Sequence, residues 1–128
     1  MSASDPSSPV SGLNHVVLAG RLSSAPVERA LASGSVLWSL EVTTETESGA
    51  CSVPVVWFDP SSPPLLDAGS EVLVRGTVRR RFFRSGGGTQ SRTEVLAEEV
   101  VDLADRRRAR GFLRRVGADV AARLDTVL

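Results

Sequence analysis

Hydrophobic and polar positions alternate through much of the first hundred residues, then change to a spacing of three and four. In Ser35–Thr46, Val36, Trp38, Leu40, Val42 and Thr44 fall on one face and Leu37, Ser39, Glu41 and Thr43 on the other. A period of two marks a strand, because successive side chains of a pleated chain point to opposite sides. Asn14–Leu22 and Cys51–Phe58 read as further strands, with Gly20 suggesting a bulge or bend in the first. Val27–Leu31 has room for a short strand after Pro26, and Glu45–Ala50 is a polar loop. Asp59–Ala68, with three prolines, has room for one helical turn at most. The longest β-rich runs, Ser70–Arg84 and Thr89–Asp102, flank Gly86-Gly87-Gly88 and predict a long hairpin with a flexible tip.

The period changes after Ala104. Ala109, Phe112, Leu113, Val116, Val120, Leu124 and Val127 form the apolar stripe of an amphipathic helix, with Arg106, Arg107, Arg110, Arg114 and Arg123 opposite. Gly111 and Gly117 weaken it by about 1 kcal/mol each relative to alanine. Packing on the β-domain is the plainest use of the stripe; a second subunit or a membrane surface are the others. Met1–Gly12, rich in Ser and Pro, has little to bury and reads as a disordered leader. It lacks the basic start and apolar centre of a secretory signal. The predicted organisation is leader 1–12, β-domain 13–102 and helix 103–128. Five β-segments of irregular length suggest a small closed or partly open barrel.

The net charge is zero, yet it is segregated. Residues 1–68 carry two arginines against seven acidic residues, and 69–128 carry thirteen against eight. There is no lysine, which a coding bias toward arginine explains as well as any function. Arg75, Arg79, Arg80, Arg81, Arg84 and Arg92 all lie between Glu71 and Glu94 with no acidic residue among them, and Phe82 and Phe83 interrupt the run. Cations that follow a phosphate backbone, interleaved with rings that stack on bases, are what single-stranded nucleic acid requires. An arginine-rich edge that discourages aggregation would account for the charge. It would not account for two adjacent phenylalanines near an exposed tip. Alternation puts Arg79, Arg81 and Phe83 on one face and Arg80 and Phe82 on the other.

Other chemistry finds less support. His15 is the only histidine, and no Gly-x-Ser-x-Gly elbow accompanies it, so it reads as a satisfied structural residue or one near a groove or interface. Cys51, the only cysteine, excludes an internal disulfide and a multi-cysteine zinc site, and reads as a small buried or edge residue. The triple glycine lacks the Gly-Lys-Ser/Thr of a phosphate loop. Glu98, Glu99 and Asp102 read as a solvated acidic face rather than a metal site. No enzyme, cofactor or metal is expected, and no segment is apolar enough to span a bilayer.

Four stretches and a fifth shorter one resemble the bacterial single-stranded DNA-binding protein family, which has an OB fold. Asn14-His15-Val16-Val17-Leu18-Ala19-Gly20-Arg21-Leu22, followed by Pro26-Val27-Glu28, is similar to the family's opening strand. Trp38-Ser39-Leu40-Glu41-Val42-Thr43-Thr44 and Pro54-Val55-Val56-Trp57-Phe58 resemble its second and third strands. Gly69-Ser70-Glu71-Val72-Leu73-Val74-Arg75-Gly76-Thr77-Val78-Arg79 resembles the family pattern Gly-Ser-x-Val-x-Val-x-Gly-x-Leu-Arg, and Thr93-Glu94-Val95 its last strand. The resemblance covers about residues 13–102. It implies a mainly β, five-stranded OB-fold barrel with a long hairpin between its fourth and fifth strands, to which the C-terminal helix is added.

The resemblance also implies sequence-tolerant binding of single-stranded DNA, in replication, repair or recombination. RNA suits the same chemistry. Phe58 and Phe83 match base-stacking positions, with Phe82 and Trp57 as further candidates. Arg79 and Arg81 match basic positions, joined by Arg75, Arg84 and Arg92 as phosphate contacts. Two further stacking tryptophans of the family fall near Ser48 and Ser52 here, while Trp38 shares a face with Leu40 and Val42 and suits the core. Trp57, on a face with Val53 and Val55, fits either role. The family implies a homotetramer; a homodimer also suits this chain. A cytoplasmic, nucleoid-associated protein is expected. The ending Leu124-Asp125-Thr126-Val127-Leu128 lacks the family's acidic tip, so recruitment of replication enzymes is not. The alternative function is an OB-fold module for protein assembly with weak or lost DNA affinity.

Overall fold

Apolar residues at every second position must be buried on one side only, so the strands close around a shared interior. The computed structural model describes residues 12–128, and the predicted leader lies outside them apart from Gly12. Six strands form one sheet: β1 (Val16–Leu22), β2 (Val27–Ala30), β3 (Val36–Thr46), β4 (Gly49–Phe58), β5 (Glu71–Ser85) and β6 (Gly88–Asp102). One helix, α1 (Arg106–Val127), follows. The order is β1-β5-β6-β4-β3-β2, and β1 also pairs with β3. The hydrogen-bonded circuit therefore runs β1–β5–β6–β4–β3 and back to β1, with β2 attached outside it on β3. The β4–β6 contact is parallel and every other pairing antiparallel.

The sheet thus has six strands where a five-stranded barrel was expected; the sixth is β2, the short strand for which Val27–Leu31 had room. All four residues of β2 are exposed. Main-chain pairing with β3 holds this strand, without a buried face to mark it in the sequence. Asp59–Ala68 forms no helical turn: its prolines leave an irregular segment whose Leu66 packs on the core. The hairpin tip is tighter than expected. Strands β5 and β6 extend to Ser85 and Gly88, so Gly86 and Gly87 alone make the turn, both at positive φ (60° and 82°). That conformation matches the twist of the flanking strands and suits glycine.

Leu22, Leu40, Val42, Val55, Val72, Val74 and Val95 fill the interior, and Trp38 and Trp57 pack against them. These two tryptophans are paired across β3 and β4. The β1–β5 ladder passes Gly20 without a register shift. The irregularity expected there lies instead in β6: Arg75 pairs with Glu99 and Gly76 with Ala97, leaving Glu98 as the extra residue. Gly20 serves close approach, since a Cβ would strike the Thr43 carbonyl oxygen. A Cβ on Gly76 would likewise strike the Leu96 carbonyl oxygen.

Alternation sends Leu73 and Val101 outward, where they meet Ala109 and Phe112 of α1 in a second cluster. Phe112 is fully buried. The helix opens on Asp105, whose carboxylate accepts the Arg108 amide at 3.2 Å. The helix therefore packs on the β-domain through the first part of its stripe, while Leu113, Leu124 and Val127 remain exposed.

Candidate nucleic-acid interface

The hairpin carries its side chains in strict alternation. Arg79 pairs with Glu94, Arg81 with Arg92 and Phe83 with Gln90, which places all six on one face. Arg80, Phe82 and Arg84 take the other face. The predicted division of the run is the observed one.

The first face looks across at β2, β3 and β4. Between them lies a groove of about 440 Å³, bordered by Arg29 and Glu41 on one side, Arg79, Arg81 and Arg92 on the other, and Phe58 at one end. Phe58 reaches it because it pairs with Leu37, out of phase with the inward Trp57. Immediately after it, Asp59 turns the chain at φ 45°. Its amide donates to the Val36 carbonyl at 2.9 Å and its Oδ1 accepts the Val36 amide at 2.8 Å. Asp is among the few residues that tolerate this backbone region. The clamp ends β4 with Phe58 held at the groove.

Glu94 lies at the centre of the arginine face, only 1% exposed. Its Oε2 accepts Arg79 Nε at 2.9 Å and stands 2.8 Å from the Arg79 terminal nitrogen and 3.5 Å from Arg81 Nε. Its Oε1 is 4.0 Å from Arg92 Nε. The guanidinium of Arg79 lies 5.6 Å from the Phe58 ring centre, and that of Arg81 lies 5.2 Å from the Phe83 ring centre. Both are within cation–π range.

The predicted residues are therefore only partly brought together. Phe58, Arg79, Arg81 and Arg92 share the groove, with Phe83 beside Arg81. Phe82, 66% exposed, and Arg84 belong to the opposite face of the arm. Trp57 is half-buried against the core. Arg75 lies outside the groove: its Nε donates to Glu99 and its terminal nitrogen to Glu98, each at 3.0 Å. The Glu99 hydrogen bond raises the Arg75 pKa above its ordinary value, against the opposing effect of burial, and Glu98 and Asp119 add to the rise. Arg115 of α1 also donates to Glu99. Glu98 and Glu99 are thus engaged in ion pairs, and Asp102 accepts the Ala104 amide at 2.9 Å. Among the described residues, no group of three His, Cys, Asp or Glu side chains is placed to hold a metal ion.

Arg29, Glu41 and Glu94 are groove residues that the sequence did not single out. Counting outward from the Gly86–Gly87 turn would have set Glu94 opposite Arg79. No comparable signal marks Arg29, because β2 has no buried face. Asn14 was also missed: its Nδ2 donates to the Val78 carbonyl at 2.7 Å and its Oδ1 accepts the Val78 amide at 2.9 Å. This side chain continues the β1–β5 ladder and steadies the base of the arm.

His15 is not the satisfied residue expected. Its side chain is buried with Nδ1 3.9 Å from an Asp119 oxygen, too far for a hydrogen bond, and neither ring nitrogen has a partner among the described residues. Cys51 is exposed on β4. Among the described residues, no helix is long and apolar enough to cross a membrane. No protein-family model and no curated protein matches the chain.

Proposed function

We propose that this protein binds single-stranded DNA, without strong sequence preference, in the groove between the β5–β6 hairpin and the outer faces of β2, β3 and β4. The observation that carries the reading is the pairing of cations with rings: Arg79 of the hairpin beside Phe58 at the groove's end, and Arg81 beside Phe83 on the hairpin itself. Rings stack on any base and guanidinium groups meet phosphates, so a groove built this way takes a strand with its bases unpaired. The closed circuit of five pairings, with a sixth short strand outside it, supports an OB fold, whose known uses include oligonucleotide binding. RNA with exposed bases is the second candidate ligand.

A competing reading, an OB-fold module for protein assembly, draws on two observations. Trp38 and Trp57 pack, partly buried, against the core and neither lines this groove, which leaves few rings for stacking. Glu94 also offsets part of the arginine charge. Fluorescence anisotropy with labelled oligo-dT separates the two readings, using ~50 mM and ~200 mM salt and duplex DNA as comparison. Salt-sensitive binding to the single strand, weak binding to duplex and loss in an Arg79/Arg81/Phe83 triple mutant support the groove. No binding to any nucleic acid at low salt overturns it in favour of the assembly module.

A further inference from the structure

Resting on that reading, we infer that Glu94 divides the groove's arginines into two roles: Arg79 is held as a fixed wall, while Arg81 and Arg92 meet the phosphates. One carboxylate faces three guanidinium groups, and it does not treat them alike. Two Arg79 nitrogens lie within 2.9 Å of the same Glu94 oxygen, whereas Arg81 and Arg92 stand at 3.5 and 4.0 Å. Exposure follows the same order. The Arg79 side chain is 35% exposed, that of Arg81 44% and that of Arg92 52%.

The asymmetry has a physical consequence. A carboxylate as buried as Glu94 is strongly destabilising once its partner is withdrawn. A phosphate that recruited Arg79 would have to strip it from Glu94, whereas recruiting Arg81 or Arg92 breaks no close hydrogen bond. Arg79 is therefore a positioning residue. It neutralises Glu94 and lies beside the Phe58 ring, fixing that ring for a base. Arg81 and Arg92, opposite each other across the hairpin, supply the mobile charge.

The test is the salt dependence of oligo-dT binding. On single strands each phosphate contact contributes roughly 0.7 to the slope of log K against log salt. Arg81→Gln and Arg92→Gln should each reduce the slope by about that amount. Arg79→Gln should weaken binding with the slope unchanged, and Glu94→Gln should steepen it by about 0.7 as Arg79 is released. Should Arg79→Gln fail to fold, the Glu94→Gln/Arg79→Gln double variant removes both partners and should keep the wild-type slope. A readout independent of nucleic acid is the Arg79 Nε–H signal, protected from exchange in the free wild type and unprotected in Glu94→Gln. A slope reduced as much by Arg79→Gln as by Arg81→Gln, or an unprotected Arg79 signal in the wild type, overturns the division of roles alone. Failure of the wild type to bind overturns the proposed function and this role with it.

Discussion

Two clefts meet at Phe58, and they differ in sign. The larger, about 840 Å³, lies between the Asp59–Leu66 segment, β6 and the start of α1. Its arginines Arg75, Arg108 and Arg115 are outnumbered by Asp59, Glu98, Glu99, Asp102 and Asp105. The smaller, about 440 Å³, has Arg29, Arg79, Arg81 and Arg92 against Glu41 and Glu94. The proposed function therefore assigns a polyanion to the second cleft by charge, although the first has the greater volume. The acid of the larger cleft is engaged within the fold: Asp59, Asp102 and Asp105 accept backbone amides. Glu98 and Glu99 are answered by Arg75 and Arg115, tying α1 to the sheet, whereas the hairpin leaves Arg81 and Arg92 loosely held.

This contrast can be broken at several points. Phe112→Ala should have the largest effect, removing the fully buried anchor of α1 at a cost of about 3–5 kcal/mol, read by chemical denaturation. The helix contributes Arg108 and Arg115 to the larger cleft and nothing to the groove, so molecules that remain folded should still bind oligo-dT. Reversing charge on the groove face comes next. Arg81→Glu should weaken binding by about 10- to 100-fold, the equivalent of one or two charge-assisted contacts, while Arg80→Glu on the opposite face changes it far less. Equal losses in an anisotropy titration would refute the assignment of faces.

Phe58→Ala should cost about 1–3 kcal/mol of binding as one base stack is lost, and Phe82→Ala much less. A larger loss from Phe82→Ala would move the binding surface to the other side of the arm. The smallest effect is expected in the larger cleft. Arg115→Gln should alter stability by less than about 1 kcal/mol, because the side chain is half-exposed, and should leave oligo-dT affinity unchanged. A marked fall in affinity would mean that the strand continues past Phe58 to α1.

Much of this was legible in the chain because it depends on local periodicity. Period two located β1, β3, β4 and both long arms within a few residues, and spacing by three and four located α1. The same alternation separated Arg79, Arg81 and Phe83 from Arg80 and Phe82, and set Trp38 in the core, without knowledge of the fold. These features follow from which way each Cβ points.

What tertiary structure alone decided depends on residues far apart in sequence. Val27–Leu31 had room for a short strand, but nothing in its pattern fixed β2, because hydrogen bonds to β3, not burial, hold it in place. Arg75 and Arg81 look equivalent in the sequence, yet the first is bound by Glu98 and Glu99 across a bulge and the second borders an open groove. Trp57 fitted either role until β3 and β4 closed over the core. The arginine run appeared free of acid because Glu94 enters from the other strand, and its field acts through space rather than along the chain. Composition and period determined which residues were available for a basic, ring-lined face. Strand pairing determined which of those charges remain uncommitted.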